Sequence, residues 1–141
     1  MTRVVVVDAS VVVKWFLPEV HAEAARRLLR GRRTLVAPEL IWAEIGNTLW
    51  KKYIRKELTA DAAYAILQDM QRFPLQTIAI NVLLDMAWNL AVRFQISVYD
   101  ALYLALAMSR HCTLVTADHQ LFTVLKRSPL ATALLWVEDI S

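Results

Sequence analysis

Glycine and proline are scarce in this chain of 141 residues, with two Gly and four Pro. So few breakers, no low-complexity tract and no internal repeat predict dense regular structure joined by short connections. Cysteine is scarcer still. Cys112 is alone, which excludes an internal disulfide, and its place in the apolar run "CTLVT" reads as a small buried hydrophobe rather than a reactive thiol. Long apolar runs are missing as well: Asp85, Asn89, Arg93 and Asp100 interrupt every candidate for the roughly 20 residues that a membrane span needs. The first strand signal begins at once and leaves no room for a signal peptide, so a cytoplasmic protein with no membrane contact is expected. Charge of one sign is also limited. A net +3 permits a polyanionic substrate without demanding one.

What is abundant is apolar surface. Hydrophobic residues make up 57% of the chain, five of them Trp, and the mean hydropathy is +0.39. That exceeds the usual share for a soluble domain, and part of the surplus is expected to be buried against another chain. The length suits a single domain over residues 1–141.

Helix and strand signals alternate. The valine run of "RVVVVDAS" has no polar alternation, so it predicts a strand buried on both faces that surfaces at Asp8. "SVVVKWFLPE" starts a short helix that Pro18 interrupts, and "HAEAARRLLRG" reads as an amphipathic helix ended by Gly31 and Arg33. A second strand, "TLVAP", precedes a long helix, "PELIWAEIGNTLWKKYIRK", with Pro38 at its start and cations in its last turns. "TADAAYAILQDMQRF" is a further helix capped by Thr59, "LQTIAI" a third strand and "VLLDMAWNLAVRFQ" another helix. "YDALYLALAMSRH" is apolar nearly all round, the mark of a helix buried inside a domain. "CTLVTAD" is a fourth strand that leads to an acid, "HQLFTVLKR" a short helix and "ALLWVED" an edge strand. Strands separated by helices require crossover connections. The fold class is therefore α/β, a three-layer α/β/α sandwich around a central parallel sheet.

In such a sheet ligands gather at the carboxyl ends of the strands, near where strand order reverses. Asp8 and Asp118 end strands and belong to that edge, and each taken alone also reads as a helix N-cap. Asp100 opens the buried helix, where its charge suits the N-terminus. Glu44 lies inside a helix on the stripe of Leu40, Ile41, Glu44, Ile45, Thr48 and Leu49, which faces the core. An inward carboxylate needs a cationic partner, either an Arg or Lys or a metal. One arrangement accounts for all four acids: Asp8, Glu44, Asp100 and Asp118 converge on a divalent cation, and without it their repulsion raises at least one pKa. An oxygen-only donor set suits the hard cations Mg²⁺ and Mn²⁺. No two His and no two Cys stand close together, which argues against zinc.

The stretches "VVVVDAS", "PELIWAEIGN", "SVYDALYLALA" and "TLVTAD", in this order and spacing, resemble the PIN-domain ribonucleases, and most closely the VapC-type toxins of bacterial and archaeal toxin–antitoxin modules. The resemblance covers essentially the whole chain. It implies that Asp8, Glu44, Asp100 and Asp118 form a metal site, that the hydroxyls of Ser10 and Thr116 support it, and that Asn47, one turn beyond Glu44, matches a frequent family position. It also implies an Mg²⁺- or Mn²⁺-dependent endoribonuclease that cuts RNA with an activated water, forms a homodimer and binds a cognate antitoxin protein. The alternative of a different class is a catalytically silent PIN-like module that binds RNA or protein. A haloacid-dehalogenase-type phosphatase needs a second Asp two residues after the first, where this chain has Ser10.

The basic residues fall in two groups, Arg26, Arg27, Arg30, Arg32 and Arg33, then Lys51, Lys52, Arg55 and Lys56. Either group can hold RNA phosphates, and for most members the complementing of a helix dipole suffices. Lys14 lies one turn after Ser10, near the expected metal edge. His119, beside Asp118, reads as a solvent-facing helix residue. Trp15, Phe16 and Leu17, with Trp42, Leu49, Trp50 and Tyr53 on the long helix, are the aromatic and apolar candidates for partner contacts.

Overall fold

The structure is a computed structural model that describes residues 3–141. β1 (Arg3–Val7) lies at its centre. Val5, Val6 and Val7 are all buried, and consecutive burial along a strand requires cover on both faces. β2 (Arg33–Pro38), β3 (Gln76–Ile78), β4 (Leu114–Thr116) and β5 (Leu134–Trp136) complete a five-stranded sheet in the order β3-β2-β1-β4-β5, with every neighbouring pair parallel. The crossovers are helical. α1 (Ala9–Phe16) and α2 (Ala22–Arg26) join β1 to β2, while α3 (Ile41–Ile54) and α4 (Ala60–Gln71) join β2 to β3. α5 (Ile80–Phe94) and α6 (Val98–Ser109) lead to β4, and α7 (His119–Leu125) leads on towards β5. This is the parallel α/β class expected from the sequence.

The strand order decides where a site can form. The chain moves outward from β1 through β2 to β3, then returns to place β4 on the other side of β1. Strand order therefore reverses between β1 and β4, and a crevice opens beyond their carboxyl ends. Val7 pairs with Val115, so Asp8 arrives level with Thr116.

The core explains the all-round apolarity of α6. Its residues from Ala101 to Ala107 are buried without interruption, because the helix lies on β1, β2 and β4 and is covered by α5. Cys112 is half-buried against the same core, and burial pushes its thiol pKa up. Among the described residues no single helix is long and apolar enough to cross a membrane.

Two elements differ from the sequence expectation. α2 ends at Arg26 and tightens into a 3₁₀ turn over Arg27–Leu29, with Gly31 at φ +78° behind it. Pro38 does not begin α3 but ends β2, where it stands opposite Ile78, and the Ile78 carbonyl takes its hydrogen bond from the Glu39 amide instead. A proline tolerated at a helix start is equally tolerated where a strand stops needing its amide.

Candidate active site

Asp8 ends β1 and caps α1, its Oδ1 accepting from the Val11 amide at 3.3 Å. The expected cap is therefore real, yet stronger bonds reach the same carboxylate. Ser10 Oγ donates to Oδ1 at 2.5 Å and Thr116 Oγ1 donates to Oδ2 at 2.6 Å. Each hydroxyl in turn accepts from a backbone amide, Ala117 onto Ser10 and Asp118 onto Thr116, both at 3.0 Å. An amide can only donate, so both hydroxyl protons are left to point at Asp8. The turns after β1 and β4 are stitched together through one carboxylate that is 8% exposed.

The other acids arrive from three helices. Asp118 caps α7, its Oδ1 accepting from the Leu121 amide at 3.2 Å. Asp100 does not cap α6. Ser97 Oγ does so by accepting from the Asp100 amide, which frees the Asp100 carboxylate from that duty. Glu44 lies half-buried on α3, beside the buried ridge of Ile41, Ile45 and Leu49. Its partner is neither Arg nor Lys: Tyr103 Oη donates to Glu44 Oε1 at 2.5 Å.

Asp8, Glu44, Asp100 and Asp118 line one cavity of about 440 Å³, together with Ser10 and Asn47. Thr116 is buried outside that lining and reaches it through Asp8. None of the four carboxylates makes an ion pair among the described residues, and the field they share is visible in their acidities. Burial pushes Asp8 up from 3.8 to about 6 against the pull of Ser10, Thr116 and the Val11 amide, and the Asp118 charge adds to the rise. Burial also raises Glu44, opposed by Tyr103 and assisted by Asp100 and Asp118. Asp100 is raised by burial and then by Asp118. Burial and the Glu44 charge keep the Tyr103 hydroxyl protonated, so it remains a donor.

This donor set fits a hard divalent cation in chemistry: all oxygen, anionic, facing one cavity and without an ion-pair partner among the described residues. It is not a finished coordination sphere, since among the described residues no three His, Cys, Asp or Glu side chains are grouped tightly enough to make one.

Several further residues share the cavity. Lys14 lines it, as its position one turn after Ser10 suggested, and so do Glu19, Lys51, Lys52, Arg55 and Tyr103. Tyr103 and Glu19 escape a reading of the sequence alone. Tyr103 follows Asp100 by three residues and so shares its helix face, the one signal that points to it. His119 is exposed on α7, with its ring 6.0 Å from that of Trp136.

The profile of the PIN-domain family matches residues 5–127. The chain belongs to the PIN-domain family. A relative described as ribonuclease VapC3, from Pyrobaculum aerophilum, is 35% identical over 118 residues, spanning 82% of this chain and 90% of that protein. The crystal structure of PAE2754 from P. aerophilum superposes on this PIN domain with a TM-score of 0.69 at 26% identity, covering 96% of this chain and 85% of the other. A chain of a toxin–antitoxin complex from Klebsiella pneumoniae shares the fold with a TM-score of 0.63 at 15% identity, covering 96% and 99%.

Between pH 3.8 and about 6 the folded PIN domain retains on Asp8 a proton that the unfolded chain has lost. The contribution of Asp8 to folding stability in the presence of a chelator is therefore fully present below this window and is lost as pH rises through it, by about 3 kcal/mol. Urea denaturation on either side of the window checks this, and Asp8→Asn flattens the difference. A variant that keeps the wild-type slope would contradict the assignment.

Proposed function

We propose that this chain is a metal-dependent endoribonuclease, the toxin of a toxin–antitoxin pair, built as a single PIN domain over residues 1–141 and acting in the cytoplasm. The observation that carries the reading is the group of four carboxylates with no basic partner among the described residues. A scaffold gains nothing from such a group, because like charges gathered without a cationic partner cost stability. An enzyme that recruits a cation gains a binding site. The relatives support the substrate class, being ribonucleases by name, and the Klebsiella complex supports an antitoxin as partner.

Asp8, Glu44, Asp100 and Asp118 are the residues that would hold Mg²⁺ or Mn²⁺, and not all four need do so directly, because Mg²⁺ takes few carboxylates. Such an ion, when bound, lowers the pKa of water and offsets the charge that builds on the phosphoryl oxygens. The protein's own part is placement. Ser10 and Thr116 fix both oxygens of Asp8, and Tyr103 fixes Glu44. Asn47 stands one turn beyond Glu44 on the cavity wall, where it would support the metal-holding carboxylates. Hydrolysis by water, without the ribose 2′-hydroxyl, leaves a 5′-phosphate and a 3′-hydroxyl.

The apolar surplus bears on partners. Trp15 and Leu17 are buried and Trp42 packs against the core, whereas Trp50, Tyr53 and Ile54 stand 55%, 44% and 55% exposed at the end of α3. Trp88 and Val92 are exposed on α5. This surface supports a homodimer and the docking of an antitoxin segment.

Purified, antitoxin-free protein incubated with end-labelled RNA and Mg²⁺ or Mn²⁺ is expected to give discrete fragments bearing 5′-phosphates, lost with EDTA and with Asp100→Asn. Folded protein that cuts no cellular RNA with either ion would replace the enzyme by a silent binding module. In the same assay Tyr103→Phe slows cleavage by roughly tenfold, as the loss of a ligand-orienting hydrogen bond does; an unchanged rate would remove Tyr103 from the site. Multi-angle light scattering is expected to give the mass of two chains, and a clean monomer would count against the homodimer.

A further inference from the structure

α3 presents one continuous face to the cavity. Glu44, Asn47, Thr48, Lys51, Lys52 and Arg55 recur at three- and four-residue steps and all line it. At 1.5 Å per residue the stripe runs for about 16 Å, from carboxylate at one end to cations at the other. Complementing the helix dipole explains cations near the end of α3. It does not explain why Lys51, Lys52 and Arg55 turn to the same wall as Glu44 while Lys56, at φ +62°, does not line it.

Two of the cations facing this cavity are held in place. Lys52 Nζ donates to Glu19 Oε2 at 2.7 Å, and Lys14 Nζ, from α1, stands 3.8 Å from Glu19 Oε1. Their side chains are 18% and 11% exposed. One carboxylate thus serves two ammonium groups and leaves the trio with net positive charge. An ammonium has donors to spare beyond the one that Glu19 accepts. Lys51 and Arg55 are exposed and make no ion pair among the described residues.

We propose that Lys14, Lys51, Lys52 and Arg55 form a wall that seats the RNA backbone phosphates next to the cleaved bond, with Glu19 as the positioning residue that steadies Lys14 and Lys52. The inference rests on the ribonuclease reading and deepens it. The acidic end of the cavity repels a polyanion, so what affinity the cavity itself has in the absence of a divalent ion comes from its basic end. Contacts to phosphate carry no sequence information, so the wall binds unrelated sequences alike. Base choice is then left to the rest of the surface.

The test is fluorescence anisotropy of labelled single-stranded RNA, in two unrelated sequences, titrated with the full chain in EDTA across a range of salt. Each phosphate contact to a single strand contributes about 0.7 to the slope of log affinity against log salt. The double variant Lys51→Ala/Arg55→Ala is therefore expected to lose about 1.4 from that slope for both sequences, and Lys51→Arg/Arg55→Lys to retain it. Glu19→Ala adds one positive charge to the protein and is nevertheless expected to weaken binding and flatten the slope, because two cations lose their anchor. Tighter binding by that variant would overturn the positioning role. An unchanged slope in the double variant, from wild-type protein that cleaves the same RNA with Mg²⁺, would overturn the wall and leave the ribonuclease standing. No binding and no cleavage by folded wild type would overturn both.

Discussion

Four carboxylates held at one edge of a sheet, with no basic side chain paired to them among the described residues, are the constraint on which the rest of the structure depends. Burial first, and the neighbouring like charges after it, raise the pKa of Asp8, Glu44 and Asp100. The fold sustains this because the acids are anchored by separate elements. Asp8 is fixed by the end of β1 and by a hydroxyl from the last residue of β4, Asp118 by the start of α7, Asp100 by the first turn of α6 and Glu44 by α3. Relief comes from protonation, which the shifted acidities express, or from a cation brought in from outside.

The same cavity carries the opposite charge at its far end. A nuclease must accept a polyanion beside a cluster of carboxylates, and a site that was acidic throughout would repel its own substrate. α3 meets both needs on a single face, with Glu44 early, Lys51 and Lys52 late and Arg55 at its C-cap. The macrodipole favours cations at that end in any case, so the basic wall exploits charges that already suit the helix. Glu19, in the turn after α1, reaches across to Lys52 on α3 and ties the wall to the element that begins at Asp8.

Much of this was legible in the sequence because it depends on short-range pattern. The valine run before Asp8 specified a doubly covered strand, the unbroken apolarity of "DALYLALA" a buried helix, and helices between strands a parallel sheet. Asp8, Glu44, Asp100 and Asp118 were found as acids at strand ends and helix starts or on an inward helix face, and Ser10 and Thr116 as neighbours of two of them. What was hidden depends on contacts between distant segments. Tyr103 meets Glu44 across 59 positions, and within an apolar helix its hydroxyl is one polar atom among hydrocarbons. Glu19 meets Lys52 across 33, and nothing in either neighbourhood announces the other. Pro38 shows a different limit, since a proline between strand and helix signals suits both. The ladder to β3, a partner about forty residues later, resolves it.

The central claim is that these carboxylates are a cation site. It is tested most directly by titrating Mn²⁺ into chelator-treated protein near pH 6 while following bound metal and released protons together. Asp8 is about half protonated there, so binding must expel protons. Saturable binding with proton release is expected, both lost in Asp8→Asn and Asp100→Asn. Absence of saturable binding by the folded protein, or binding that survives both substitutions, would contradict the cation site.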